Sequence, residues 1–199
     1  MAALAAADPR FEVVATAALA DAAIDFTTPE ASLRFASACI RAKIPFISGT
    51  TGLSDAQRRK LAAAAKKIPV FAAPNFSRGM ALMTFLAGEA AKRLPGYDAA
   101  IVETHHAGKK DAPSGTGLRL AQAVRAGSGA VEYPPIASLR LGGVIGDHSL
   151  IFASPFERLE LTHHADSRDV FALGALNAAL WIVGKNSGLY DMSDMLGLK

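Results

Sequence analysis

Cysteine is almost absent from this chain of 199 residues, and its scarcity excludes any internal disulfide. The single cysteine, Cys39, lies in an apolar-periodic segment between Phe35 and Ile40. A cysteine in such a segment packs as a small apolar side chain. We therefore predict a buried structural thiol, which suits a reducing compartment.

Long hydrophobic runs are lacking as well. No uncharged run approaches the roughly 18 residues that a membrane span needs. The opening residues, MAALAAADPRF, have no basic region and meet Asp8 and Pro9 too early for a signal peptide. These two absences predict a cytoplasmic protein without a membrane partner.

A strong charge imbalance is also missing. The 21 lysines and arginines stand against 18 aspartates and glutamates, for a net charge of +3, and the cations are dispersed along the chain. Such a distribution implies no nucleic-acid partner, whereas a small acidic ligand would suit it. The 51% of hydrophobic residues is ordinary for a globular protein with a sizeable core.

Short apolar runs alternate with helical patterns in the first part of the chain. The runs at 11–17, 22–27, 44–48 and 68–73 are typical of strands covered on both faces. One helix is predicted to begin at Thr28-Pro29-Glu30, and another at Ser54, which forms a capping box with Gln57. This order indicates an α/β layer with a parallel sheet.

The pattern changes after Asn75. Helices are predicted at 79–94, 116–125 and 169–185, and strands at 97–104, 136–141, 148–153 and 158–164. Consecutive strands joined by short turns indicate an α+β domain with a mixed or antiparallel sheet and helices on one face. We predict a Rossmann-like domain at 1–77, completed by 186–199, and a substrate-binding and oligomerisation domain at 78–185.

Polar residues follow two of the predicted strands in the first domain. The segments ISGTTGLS at 47–54 and AAPNFSRG at 72–79 present backbone amides and hydroxyls at the carboxyl edge of the sheet. Ligands of parallel α/β folds bind at this edge. An ordinary helix-capping turn explains the first segment equally well, but two such strand ends favour a nucleotide crevice.

The segment ETHHAGKKDAPSGTG, residues 103–117, crowds several reactive groups together. The amides and hydroxyls of Ser114 and Thr116 at a helix entry suit a carboxylate or phosphate. Upstream, the side chains of His105, His106, Lys109 and Lys110 can donate protons or pair with an anion. The pattern favours a site that binds an anionic substrate and donates a proton to it.

Two other interpretations of this segment are weaker. Asp111 could complete a zinc site, but adjacent histidines point in different directions on a regular backbone, so we expect no metal. A solvated loop would explain the lysines but not the Ser-Gly-Thr helix entry. The second histidine pair, His163-His164, ends a predicted strand, where a structural role is favoured.

These motifs resemble the dihydrodipicolinate reductase family, which reduces a cyclic dicarboxylated imine-type substrate in the diaminopimelate route to lysine. Besides 103–117, the segments IDFTTPE, ISGTTGLS, APNFSRGMALM and FALGALNAALWIVGKNSGLYDMSDMLGL are similar to that family in order and spacing. The resemblance covers nearly the whole chain from Ala22 onward. It implies an oxidoreductase that uses NADPH or NADH.

The resemblance also implies roles for individual residues. His105 matches the family's proton donor or acceptor and Lys109 its catalytic lysine. The family's substrate pocket matches His106, Ser114, Gly115 and Thr116. Its cofactor-lining segments match Gly49, Thr50 and Thr51, and then Ala73, Pro74, Asn75 and Phe76. A homotetramer formed through the substrate-domain sheet is a further implication.

One part of the family pattern has no counterpart in this sequence. The family opens with a strand and a glycine-rich phosphate loop, whereas this chain opens with MAALAAADPRFEVVATA. We therefore expect a truncated Rossmann-like domain with weakened nucleotide affinity. The alternative to an enzyme is a non-catalytic paralogue that keeps the substrate domain as a binding or oligomerisation module, and an incomplete gene model would explain the same departure.

Overall fold

The computed structural model describes residues 1–199, which form two compact units. One unit comprises Met1–Arg78 and Asp169–Lys199, and the other Gly79–Arg168. None of the helices is both long enough and apolar enough to cross a membrane. In chain order the elements are α1 (Ala2–Ala6), β1 (Ala23–Asp25), α2 (Pro29–Ala42), β2 (Phe46–Ser48), α3 (Asp55–Ala64), β3 (Pro69–Ala72), α4 (Arg78–Arg93), β4 (Asp98–His105), α5 (Gly115–Ser128), β5 (Ile136–Arg140), β6 (Asp147–Ala153), β7 (Arg158–His164), α6 (Asp169–Ile182), β8 (Gly188–Tyr190) and α7 (Met192–Leu196).

The first unit is built on a parallel sheet with strand order β1-β2-β3-β8. Local signals fix where its helices begin. The Thr28 side chain accepts a hydrogen bond from the Ala31 N–H ahead of α2, and Ser54 and Gln57 form a reciprocal capping box at α3. Both predicted helix starts are confirmed, as is the parallel α/β layer.

The strand predicted at residues 11–17 is wrong. Residues 11–14 adopt no regular structure, and a 3₁₀ helix forms at Ala17–Leu19. The segment enters no ladder, because β1 pairs only with β2 and no strand lies along its other edge. The segment instead lines an apolar cavity of about 780 Å³ beside β1. Apolar residues in a row do not form a strand without a ladder.

The core of the first unit includes aromatic side chains and one face of α6. Phe46, Phe71 and Phe76 are fully buried, and the Phe71 ring stacks on Phe76 with centroids 5.6 Å apart. Helix α6 packs on β1, β2 and β3, which explains its largely apolar sequence. The domain division predicted from the sequence had assigned α6 to the second domain, and as a functional division it stays a proposal.

The second unit has a mixed sheet with strand order β5-β4-β6-β7. Strand β4 is parallel to β5 and antiparallel to β6, which in turn is antiparallel to β7. Apolar side chains of α4 and α5 pack against the sheet around Ile101, Leu150 and Phe152. The mixed sheet predicted for the second domain is confirmed.

Helices α4 and α5 approach each other closely at Gly127. A Cβ atom at this position would lie 2.1 Å from the Gly88 carbonyl oxygen, so backbone rather than a flexible side chain would have to move. We expect Gly127→Ala to lower the free energy of unfolding by about 1–3 kcal/mol, as overpacking does. Urea denaturation measures the change. Gly143→Ala is the matched control, because nothing lies within 4 Å of its Cβ position; equal losses in both variants would contradict the packing argument.

Candidate active site

Strand β4 directs a carboxylate and an imidazole into the interior of the second unit. Burial alternates along the strand, with Ile101, Glu103 and His105 buried. Successive side chains of a strand point to opposite faces, so these three share one face. Ile101 packs in the hydrophobic core, whereas Glu103 and His105 place two ionisable side chains at the carboxyl end of the strand.

Glu103 is fully buried and yet well supplied with donors. Its Oε1 accepts from the Ser114 N–H at 2.8 Å and from the Ser138 hydroxyl at 2.8 Å, while Oε2 accepts from the Ser114 hydroxyl. The Arg140 guanidinium lies 3.5 Å from Oε1. Burial opposes ionisation of Glu103, but these hydrogen bonds outweigh it and lower the pKa of the carboxyl below its usual value.

Ser114 is the N-cap of α5, and its hydroxyl is already engaged. It accepts from the Gly117 N–H at 3.0 Å while donating to Glu103. Because that hydroxyl is directed into the protein, Ser114 contributes to the helix entry as a cap. Gly115, the first residue of α5, is exposed. The first-turn amides of a helix have no intrahelical partner and suit an anion.

His105 and His148 form a buried imidazole pair. Their rings meet edge to face with centroids 5.1 Å apart, and His105 Nδ1 and His148 Nε2 lie 3.9 and 3.6 Å from Glu103 Oε2. Burial lowers the pKa of His105, although the nearby Glu103 charge raises it. Burial, reinforced by the charge of His105, lowers the pKa of His148 to about 4. Both rings therefore rest in the neutral form near neutral pH.

Cationic groups border this pair. The half-buried Lys109 Nζ donates to both Asp111 carboxylate oxygens, at 2.8 and 2.9 Å. The Arg140 side chain donates to the carbonyl oxygens of Lys109 and Asp111 and so fixes the loop. Neighbouring Lys110 is exposed, whereas His106 is half-buried. The loop thus holds Lys109 in place while Lys110 points to solvent.

A metal ion would find suitable ligand types here, and of these His105 alone was considered from the sequence. Ligand atoms of Glu103, His105 and His148 lie within 4.8 Å of one another. The oxygens of Glu103, however, already accept hydrogen bonds from two serines and face Arg140. A cation would have to displace these donors, so the expectation of no metal stays a prediction.

The cofactor-lining residues predicted from the sequence lie in the first unit, after β2 and β3. Thr50 is buried and its hydroxyl donates to Asp25 at 2.8 Å, whereas Thr51 is exposed. Asp25 also accepts from Thr27 and Ser48, which ties adjacent strand ends together. Burial opposes ionisation of Asp25, but hydrogen bonding by Ser32, Thr27, Thr50 and Ser48 outweighs it and lowers the pKa of the carboxyl.

The turns that follow β2 and β3 are held by contacts among their own residues and with Phe26. A Cβ atom at Gly49 would lie 2.3 Å from the Phe26 ring, so this exposed ring would have to shift to admit a side chain there. After β3, Ala73 is buried, Pro74 is exposed, and the Asn75 side chain accepts from the Ser77 N–H at 2.8 Å. Phe76 is buried against other rings, which makes it a support for this edge of the sheet.

Several members of the site were not assigned from the sequence: Glu103, Ser138, Arg140 and His148. The spacing of Glu103 and His105 on one strand was the signal available for the first of them. The other three lie on β5 and β6, and only the register of the sheet brings them near β4. His163 and His164 end β7, where His164 Nδ1 lies 3.2 Å from Asp147.

Comparisons with known proteins agree with this arrangement. Residues 5–76 match the family described as "Dihydrodipicolinate reductase, N-terminus", and residues 79–196 match "Dihydrodipicolinate reductase, C-terminus". The 4-hydroxy-tetrahydrodipicolinate reductase of Thiobacillus denitrificans is 48% identical over 195 residues, covering 88% of this chain and 73% of the relative. That of Anaeromyxobacter dehalogenans is 44% identical over 199 residues, covering 90% and 74%.

A solved structure is similar as well. The dipicolinate-bound dihydrodipicolinate reductase of Paenisporosarcina sp. TG-14 superposes with a TM-score of 0.75 at 28% identity, covering 86% of this chain and 71% of that one. An amine dehydrogenase of Mycobacterium smegmatis shares the fold alone, with a TM-score of 0.57 at 10% identity. The two domain matches and these relatives show that the chain belongs to the dihydrodipicolinate reductase family.

Proposed function

We propose that the protein reduces 4-hydroxy-tetrahydrodipicolinate to tetrahydrodipicolinate with NADPH or NADH, as a step of diaminopimelate and lysine biosynthesis. The observation that carries this proposal is the buried Glu103–His105–His148 cluster beside the N-terminus of α5. It combines a proton carrier with a helix terminus suited to a carboxylate. Relatives of this chain that carry the reductase name support the same substrate.

Substrate binding is assigned to the entry of α5. The amides at Gly115 and Thr116 suit one carboxylate of the substrate, and Ser114 maintains the geometry of the helix start. His106 borders the same loop and is available for a second polar contact. A dicarboxylate also gains from the nearby positive charge of Lys109 and Arg140.

The reaction consumes one hydride and one proton and releases water. A nicotinamide nucleotide would supply the hydride, and the segments 49–51 and 73–76 would hold it, because carboxyl edges of parallel strands bind nucleotides in related folds. His105 supplies the proton. Its Nδ1 is buried, faces Glu103 and makes no hydrogen bond, so Nε2 is the ring atom assigned to proton transfer.

The low pKa of His105 has a functional consequence. Near neutral pH the free protein holds the ring largely neutral, because burial and the charges of Lys109 and Arg140 disfavour protonation. A bound dianion adds negative charge nearby and favours the imidazolium. Protonation is therefore coupled to substrate binding, and Lys109 stabilises the negative charge that hydride addition creates.

A steady-state assay tests the proposed function. The purified protein is mixed with freshly made substrate and either NADPH or NADH, and nucleotide oxidation is followed by the loss of its near-ultraviolet absorbance. We expect substrate-dependent oxidation with at least one nucleotide, and the ratio of the two kcat/KM values gives the cofactor preference. Absence of substrate-dependent oxidation with both would overturn the proposal and favour a non-catalytic binding module.

Assembly and location form part of the same proposal. We assign a homotetramer formed through the sheet of the second unit, where Leu139 on β5 and Leu141 just after it are exposed at 52% and 63%. Exposed apolar side chains beside a sheet favour a subunit contact. A cytoplasmic location suits the one buried cysteine, since the fold uses no disulfide.

A further inference from the structure

Glu103 is a charged residue that has no access to a ligand. None of its surface is exposed, and it nevertheless lies at the junction of α5, β5 and β6. Burying a carboxylate is costly unless donors and opposite charges compensate for the lost water. Because Glu103 is buried at this cost inside the candidate active site, we infer that it has a role there.

We propose that Glu103 is a positioning residue that couples the substrate-carboxylate site at the N-terminus of α5 to the proton carrier His105. This inference rests on the proposed function, which supplies the meaning of both sites. The one carboxylate contacts both sites. Both of its oxygens hold the start of α5, Oε1 through the Ser114 N–H and Oε2 through the Ser114 hydroxyl, and Oε2 also faces the two imidazoles.

The first half of the coupling acts through hydrogen bonds. The Gly117 N–H donates to the Ser114 hydroxyl, which in turn donates to Glu103. The backbone N–H of Ser114 donates to the same carboxylate at 2.8 Å. Because the N-cap is held by its main chain and its side chain together, the orientation of the first-turn amides follows the position of Glu103.

The second half acts through charge. The groups that face His105 are Glu103 on its own strand, Lys109 and Asp111 in the following loop, Arg140 on β5 and His148 on β6. Burial, Lys109 and Arg140 lower the pKa of His105, and Glu103 is the strongest influence in the opposite direction, ahead of Asp111. Without the Glu103 charge, the imidazolium would have only Asp111 as a negative neighbour against Lys109 and Arg140.

Two substitutions separate these roles. Glu103→Gln removes the charge while its amide oxygen can still accept from the Ser114 N–H. Glu103→Asp keeps the charge but withdraws it by one methylene, so the contact with Ser114 is lost. Exposed Glu132 in the same unit provides the matched control Glu132→Gln.

The readouts do not require turnover. Nuclear magnetic resonance titration reports the pKa of His105, and calorimetry with dipicolinate, a planar dicarboxylate, reports the anion site. In Glu103→Gln we expect His105 to titrate at lower pH than in the unchanged protein, with dipicolinate affinity at high pH kept within about threefold. In Glu103→Asp we expect the affinity to fall roughly tenfold while the His105 pKa stays closer to its original value. Glu132→Gln should change neither.

The pH dependence of kcat provides a further test, because a residue with a merely structural role would not shift it. In Glu103→Gln the falling limb of the kcat profile shifts to lower pH, so the loss of kcat is larger at about pH 8 than at about pH 6 by roughly tenfold. An unshifted His105 titration in the folded Gln variant overturns the inference. If that variant does not fold, unchanged dipicolinate affinity in Glu103→Asp overturns it instead.

Failure of the proposed function is recognised separately. An unchanged protein that oxidises no nucleotide refutes the reductase assignment, but leaves the His105 titration and dipicolinate binding to decide the role of Glu103. An active enzyme whose Glu103→Gln profile is unshifted refutes only the coupling.

Discussion

Replacing Lys109 by alanine is expected to lower kcat by about a hundredfold or more, in line with the loss of a preorganised group that stabilises charge in the transition state. The Lys109 ammonium is half-buried, is held by both oxygens of Asp111, and is one of the charges acting on His105. It is thus fixed beside the proton carrier. Steady-state kinetics with saturating nucleotide measure the effect.

The adjacent lysine provides the control for this experiment. Lys110 has the same charge and neighbouring sequence but is exposed, so Lys110→Ala should keep kcat within about twofold, as most surface substitutions leave a fold intact. The Lys109 variant should lose kcat more than it raises KM, because its charge is needed most after hydride addition. A Lys109→Ala protein that retains half of the original kcat would contradict the assigned mechanism.

Acidification from about pH 7 to about pH 4 is expected to lower the free energy of unfolding by about 3 kcal/mol through His148 alone. Burial lowers the pKa of His148 from 6.5 to about 4 in the folded protein. As the pH falls, His148 is therefore protonated near pH 6.5 in the unfolded chain but only at about pH 4 in the folded protein. Stability from this residue is fully present above that pH and is lost as the pH falls toward about 4.

Urea denaturation over this pH range measures the effect. His148→Asn removes the titrating group, so the stability curve of the variant should be flatter, with a residual slope from His105, His163 and the carboxylates. His164→Asn is the control, because its ring is 59% exposed beside Asp147. Identical slopes for the His148 variant and the unchanged protein would show that burial of His148 does not govern acid stability.

Local signals in the sequence predicted local structure well. The capping residues Thr28 and Ser54 and the residues that hydrogen-bond to them lie within four positions of each other, and both helices begin where they indicate. Turn residues likewise separated β5, β6 and β7 at nearly their observed bounds. Such features depend on neighbours in sequence, so they can be derived without knowing the tertiary fold.

Pairing could not be predicted in the same way. Residues 11–17 have the composition of a buried strand but pair with no strand, whereas the short β8, which was not predicted, pairs with β3. Whether a segment enters a ladder depends on partners distant in sequence. The apolar pattern alone does not contain that information.

The candidate site shows the same division. The segment 103–117 predicted an anion site and a proton carrier from residues that are contiguous in the chain. His148 and Arg140 come from β6 and β5, and they meet Glu103 only because β4 lies between those strands. The engagement of the Ser114 hydroxyl by Glu103 was equally invisible, since it depends on the direction of two side chains.

The central claim is that this chain transfers hydride from a nicotinamide nucleotide to a cyclic dicarboxylate. The most direct measurement uses NADPH and, separately, NADH, each deuterated at both C4 positions of the nicotinamide, with mass spectrometry of the reduced product. We expect each product molecule to carry one deuterium for each nucleotide oxidised, and Lys109→Ala to form far less of the same labelled product. Nucleotide oxidation without deuterium in the product, or no oxidation of either nucleotide, would contradict the account.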